Sequence, residues 1–328
     1  MRNKPQELCW LEAMKHRGHL SNEEQNSYQR LSNGIQGEVI FDQLFDHFLG
    51  NEVSYLDDVT LDYRGDVLQM DKILQNKSTV YLADIKNYQG NYVYENNALK
   101  IGGKVFANDI IEQARRARRI FTRLFEDYQL PLEIKNVIVF INDQSRITLN
   151  DDLPEIILNY EEIPSWLMSL RGQTQTSQSM NWQNLIKNYQ IPHYGTKRIC
   201  TTERFKHLKK GIHCAKCGSF SLTSKRYVLQ CACGYVEAKK IAYLRTICEC
   251  GIIRHHLPLK RSEIVDFFGK GYSIDYIKNT LLEYFSPIQP NKKDGKYQNY
   301  TIPFEYWFKN ELDQLEKLAK RKNWQNGL

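Results

Sequence analysis

The sequence predicts a mixed α/β domain followed by a small, basic, cysteine-rich module, and three observations predict it. Helix-spaced and strand-spaced apolar runs alternate through residues 23–142. Six of the eight cysteines fall in three close pairs between Cys214 and Cys250. From Thr196 to Ser262, 15 Lys/Arg face three Glu and no Asp, whereas the remaining residues hold 30 basic against 35 acidic side chains. A length of 328 residues gives room for two or three modest domains. With 41% hydrophobic and 25% charged residues, the composition excludes a disordered chain. No apolar run reaches the roughly 18 residues that a spanning helix needs. The opening MRNKPQELCWLEAMKHRG has no apolar stretch before a small-residue cleavage site. The expectation is a cytoplasmic protein with no membrane partner, whose cysteines are metal ligands or thiols rather than disulfides.

The elements follow from the patterning. Ile35, Val39, Ile40, Leu44, Phe45 and Phe48 recur at helical spacing, so residues 23–49 read as one helix, stopped at Gly50-Asn51. Residues 54–63 alternate loosely and precede a turn at Arg64-Gly65-Asp66. VLQMDKIL (67–74) and VYLADIK (80–86) are rich in strand formers, and 75–79 joins them as a hairpin loop. Residues 91–94 and 99–101 read as strands around Asn96-Asn97. An amphipathic helix spans 108–128, and NVIVFIN (136–142) is a buried strand. Residues 153–162 and 180–189 read as helices flanking the polar loop GQTQTSQS. Farther on, 262–269 and 273–284 are short helices, 296–303 a strand, and 305–321 a charged terminal helix. No internal repeat is visible.

The chemistry concentrates between Leu68 and Gly90. Strand side chains alternate, so Asp84 and Lys86 share a face, and a hairpin brings Asp71 beside them. Two carboxylates at one edge suit a hard divalent cation such as Mg²⁺ or Mn²⁺. Such an ion polarises a phosphoryl oxygen and acidifies water, while a lysine positions water or stabilises developing negative charge. That set makes sense for phosphodiester hydrolysis; the alternative is a salt bridge on an edge strand. Arg115, Arg116, Arg118, Arg119 and Arg123 decorate the following helix. Their spacing offers a phosphate-binding face, with a solvated helix face as the alternative.

Four motifs in order carry a resemblance. Gly37-Glu38, Gln69-Met70-Asp71-Lys72, Asp84-Ile85-Lys86-Asn87-Tyr88-Gln89-Gly90 and Gln113 make residues 13–142 resemble the NERD (nuclease-related) domain of the PD-(D/E)XK nuclease superfamily. The resemblance implies a restriction-endonuclease-like mixed sheet flanked by helices. It implies Glu38, Asp71 and Asp84 as metal-side carboxylates, Lys86 as the catalytic lysine, and Gln113 as a supporting or substrate-touching residue. Two positions depart from the family pattern: Asp84 stands where Glu is usual, and Lys72 where His is frequent.

Cys214-x-x-Cys217 and Cys231-x-Cys233, each followed by glycine, have the spacing of a small zinc ribbon. Four thiolates close a tetrahedral structural Zn²⁺ site. Cys248-x-Cys250, also followed by glycine, is either a second half-site with His255 or His256 or an alternative second knuckle. A basic zinc ribbon suits nucleic acid, DNA before RNA, with a protein-binding module as the alternative. Residues 261–302 read as two helices and a β-wing, a winged-helix-like arrangement. NERD proteins resembling this one also carry a cysteine-rich C-terminal module, a looser match over 212–284. The expected divisions are therefore 13–142, a linker at 143–211, the zinc module at 212–256 and a helical region at 257–328. The functional expectation is a metal-dependent nuclease; a non-catalytic nucleic-acid binder and a protein-interaction adaptor are the competing ones.

Overall fold

In a computed structural model, residues 4–171, 182–191, 195–289 and 295–299 are described. The helices are α1 (Gln6–Arg17), α2 (Asn22–Phe48), α3 (Ile110–Asp127), α4 (Ile163–Ser169), α5 (Trp182–Tyr189), α6 (Thr202–Lys206), α7 (Lys239–Ile253), α8 (Arg261–Phe268) and α9 (Ile274–Tyr284). The strands are β1 (Ser54–Tyr63), β2 (Asp66–Asn76), β3 (Thr79–Lys86), β4 (Gly90–Glu95), β5 (Ala98–Ile101), β6 (Lys104–Val105) and β7 (Glu133–Phe140). They continue with β8 (Ser145–Leu149), β9 (Ile156–Leu158), β10 (Leu222–Ser224), β11 (Val228–Cys231), β12 (Val236–Ala238), β13 (Leu259–Lys260) and β14 (Lys296–Tyr297). Two compact units emerge, one over residues 30–193, the other joining 3–29 to 194–328. No helix among the described residues is long and apolar enough to cross a membrane.

The first unit is a mixed α/β fold. Its main sheet runs β1-β2-β3-β7-β9, antiparallel across β1, β2 and β3 and parallel from β3 through β7 to β9. The β2–β3 hairpin is tighter than the five-residue loop expected: Asn76 pairs with Thr79, and Lys77 takes φ +51°. A second sheet, β6-β5-β4-β8, carries the expected Asn96-Asn97 turn, both residues having positive φ.

Register decides what each sheet face meets. Ile73 lies opposite Leu82, and both join Met70, Val80, Phe121 and Leu124 beneath α3. Their neighbours Leu74 and Ala83 face the other way, among Phe41 and Phe45 of α2 and Leu167 of α4. The helix α3 is strongly one-sided, with Ala114, Ala117, Ile120 and Phe121 buried. It starts where Asp109 accepts from the Glu112 N–H at 2.9 Å. α2 approaches the sheet closely at Gly37, where an added Cβ would lie 2.7 Å from Asn87 Cβ and 2.9 Å from Ile141 Cγ2.

Two expectations fail in this unit. Residues 153–162 are not a helix: Ile156–Leu158 pairs with β7 as an edge strand, and the helix begins at Ile163. Three β-branched and aliphatic residues side by side gain more from that parallel ladder than from an isolated turn. Ser145–Leu149, expected in no element, pairs in parallel with β4. Of the expected 180–189 helix, residues 182–189 are helical, while 180–181 and the expected polar loop at 172–179 lie outside the described residues.

The second unit packs α1, which the sequence reading left unassigned, with α7; Trp10 Nε1 donates to the Ile253 carbonyl at 3.3 Å. A three-stranded ribbon, β10-β11-β12, leads into α7. Two short helices, α8 and α9, follow, with β13 and β14 paired antiparallel. The final helix at 305–321 and the strand positions from 300 to 303 lie outside the described residues.

Candidate functional site

In the first unit, the β2–β3 hairpin builds the site. Continuing its register past Lys72–Ala83 sets Asp71 opposite Asp84, and antiparallel partners share a face. Asp71, Asp84, Lys86 and Gln113 line one cleft of about 440 Å³ between this sheet face and α3. The small side chains of Ala114 and Ala117 leave that space open; larger residues at those helical positions would fill it.

Each ionisable group has an identifiable constraint. The Ile85 N–H donates to Asp71 Oδ2 at 2.7 Å. Burial, then the nearby charges of Asp84 and Glu38, hold the Asp71 pKa well above the usual carboxylate range, against that hydrogen bond and Lys86. Lys86 Nζ lies 2.8 Å from Asp84 Oδ2, the side chains being 15% and 20% exposed. Burial disfavours the Lys86 ammonium, but Asp84 outweighs it and holds the pKa above its ordinary value. Lys86 is therefore held as an ammonium at neutral pH. Crowded carboxylates that raise a pKa are relieved by a divalent cation, so the donor chemistry fits Mg²⁺ or Mn²⁺. Glu38, on α2 beside Gly37, acts on Asp71 through charge and is not among the residues lining the cleft.

The arginines of α3 divide among several acids. Arg115 grips Glu155 at 3.1 and 3.3 Å. Arg119 reaches back to Glu112 at 2.7 Å. Arg116 and Arg123 approach Asp66 at 3.4 and 4.0 Å, and Arg116 also lines the cleft. Of the four, Arg115 is held sideways by a nearly buried carboxylate, while the other three remain exposed.

The settings of two residues escaped sequence reasoning. Lys72 is 1% exposed on the opposite sheet face, bonded to Asp57, 3.1 Å from Asp42, and over the Phe45 and Tyr55 rings at 4.2 and 4.5 Å. It fills the core where the resembling family frequently has His. Asn136, 2% exposed on β7, forms part of the cleft floor. Its signal was an amide at the head of the apolar run Val137–Ile141.

In the second unit, Cys214, Cys217, Cys231 and Cys233 have sulfurs within 4.8 Å of one another. Sγ separations of 3.7 Å (Cys214–Cys233) and 3.5 Å (Cys217–Cys231) approach the about 3.8 Å edge of a tetrahedron with zinc–sulfur bonds near 2.3 Å. Gly218 and Gly234 take φ +72° and +85°, closing the two knuckles. A hydrogen bond from the Tyr235 backbone pulls Cys233 down to about 7. At Cys217 the Ser219 backbone favours the thiolate, but hydrogen bonds shared with Cys231 and Cys233 push it up to about 12. Four thiols this close hold protons that Zn²⁺ can displace, with metal–sulfur bonds replacing the S–H bonds. The cluster is a possible zinc site.

Cys248 and Cys250 correct an expectation. Both are buried within α7, and Gly251 is helical rather than a knuckle glycine. Residues two apart on a helix do not face one ligand, so this pair makes no knuckle. Burial pushes the Cys250 thiol up to about 12. His255 Nε2 instead meets the Arg198 carbonyl at 2.8 Å.

The charge excess of residues 196–262 is partly answered inside the unit. Arg198 bonds Glu7 at 2.7 Å, Arg204 bonds Glu24 at 2.7 Å, and Arg245 bonds Glu237 at 2.9 Å. A buried chain of groups joins Arg17 to Glu249 (2.5 Å) and Glu249 to His213 (3.0 Å). Lys216, Lys225, Arg226 and Tyr227 remain exposed on the ribbon.

Residues 33–141 match the family model of the nuclease-related domain, NERD. No curated protein matches the chain. No solved structure matches it either.

Proposed function

We propose, from the nuclease-related domain carried by residues 33–141, that the protein is a metal-dependent nuclease acting on DNA in preference to RNA. The observation that carries the proposal is the convergence of Asp71, Asp84 and Lys86 on one face of the β2–β3 hairpin, inside a single cleft. Asp71 and Asp84 are the residues to hold Mg²⁺ or Mn²⁺, with Glu38 adding negative charge nearby. The cation, when bound, supplies Lewis acidity and acidifies water. Asp84 keeps the Lys86 ammonium charged and aimed into the cleft. That ammonium would meet the negative charge that grows on the phosphoryl oxygens as water adds to phosphorus and the ester P–O bond breaks, the leaving oxygen taking up a proton. Gln113 and Arg116 at the cleft wall contact the substrate backbone, with Arg119 and Arg123 extending the positive face. Arg115, committed to Glu155, contributes to this face through its charge.

The thiol cluster holds structural Zn²⁺ and folds the basic ribbon, whose exposed Lys225, Arg226 and Tyr227 suit phosphate and base contacts. The test is cleavage of plasmid and single-stranded DNA by the full chain with Mg²⁺, Mn²⁺ or EDTA. Asp84→Ala and Lys86→Ala are each expected to lower the rate about 100-fold or more without loss of DNA binding. Equal rates for wild type and Lys86→Ala would sink the mechanism. Salt-sensitive binding with no cutting under any condition would favour a non-catalytic binder, and absence of binding an adaptor.

A further inference from the structure

The floor of the cleft holds an unexplained amide. Asn136 is 2% exposed, yet neither its Nδ2 nor its Oδ1 has a hydrogen-bond partner among the described residues. A buried amide left open at both ends disfavours the folded state, and native proteins rarely keep one without a use. Register places it well. Asn136 lies beside Leu82, two residues before Asp84 on β3. Two strand residues span about 7 Å, comparable to the distance from a phosphate to the base of its own nucleotide. Met70, Leu82, Ala114 and Ala117 give the cleft apolar walls, Leu82 directly beside the amide.

We infer that Asn136 is a nucleobase-recognition residue, reading the edge of an unstacked base whose phosphate sits at Asp71, Asp84 and Lys86. The chemistry selects a base over the alternatives. A phosphate offers acceptors only and would leave Oδ1 open. Every nucleobase presents a donor next to an acceptor, which pairs both ends of an amide, while its flat faces suit the apolar walls. This inference rests on the nucleic-acid reading of the cleft but not on turnover.

The experiment measures binding of the full chain to short single-stranded DNA by fluorescence anisotropy in Ca²⁺. One abasic nucleotide is moved along the strand, and cleavage in Mg²⁺ is followed separately. In wild type, one abasic position is expected to weaken binding about tenfold. In Asn136→Leu no position should matter beyond about twofold. The same substitution should raise the Tm, because it replaces an unpaired amide by an apolar side chain with the same branching at Cγ. A residue with a purely structural role would instead lower the Tm. Asn136→Ala repeats the binding test should the leucine variant fail to fold. A wild type indifferent to the abasic position means that no base reaches the amide, and it overturns the inference even if the protein cleaves. The same position-dependent loss in wild type and variant overturns it too, as does absence of any DNA binding. Position-dependent binding without cleavage would support the base contact and remove the nuclease.

Discussion

The carboxylate cleft of residues 30–193 and the thiol cluster of the other unit gather ionisable groups in opposite ways. Four cysteines point at one centre from two turns, and four thiolates leave no position for another ligand. The cleft instead keeps unfavourable features: Asp71 is buried against like charges, Lys86 is tied to Asp84, and Asn136 has no hydrogen-bond partner among the described residues. A set that closes on itself serves folding. A set that leaves charge and hydrogen-bond capacity unspent has that capacity available for a metal and a substrate.

The largest test of this contrast is removal of one thiol. Cys231→Ser should lose bound zinc and unfold the ribbon, at an apparent cost on the order of 10 kcal/mol. Zinc content and the unfolding of the second unit measure it, and metal binding in the cleft should survive. Were both units to collapse together, the two sites would not be independent.

Lys72→Met addresses the opposite sheet face. It leaves Asp42 and Asp57, each partly exposed, without their shared cation. A loss of about 2–4 kcal/mol in denaturant unfolding is expected, less than for fully buried partners. Such a loss with metal-dependent cleavage intact would separate this structural lysine from Lys86, the one proposed for catalysis.

A pH titration sharpens the comparison from the side of the second unit. Burial opposes the Glu249 carboxylate, but Arg17 and His213 hold its pKa down to about 2, against an ordinary 4.5. Its folded pKa is depressed, so its contribution is complete above pH 4.5 and fades as pH falls toward 2. The difference between wild type and Glu249→Gln should thus be on the order of 3 kcal/mol at neutral pH and shrink on acidification. A difference independent of pH would mean that packing, not charge, fixes this group.

The smallest effect belongs to Arg116→Ala. DNA binding should weaken at all sequences alike, with the slope of log affinity against log salt falling by about 1. A change in sequence preference would instead make Arg116 a base contact.

Much of the nuclease-related domain was readable beforehand, because its elements advertise themselves locally. α3 carries a continuous apolar stripe, and alternation sets Asp84 and Lys86 on one face. What escaped were elements made by their partners. Ile156–Leu158 is a strand because β7 offers a free ladder, and Ser145–Leu149 because β4 does. Cys248-x-Cys250 has the look of a knuckle, yet α7 buries both cysteines on a helix.

The sequence by itself determined which residues are able to do chemistry: two acids and a lysine on a predicted hairpin, and four cysteines at metal-binding spacing. Their order and period are enough for that, since side-chain direction along a strand and the closeness of a knuckle are local properties. Only the tertiary structure decided what surrounds them. Lys72 and Lys86 are both strand lysines beside aspartates, yet one lies at 1% exposure between aromatic rings and the other lines a cleft. Burial, charge crowding at Asp71 and the unpaired amide of Asn136 depend on residues tens of positions away, and no local pattern records them.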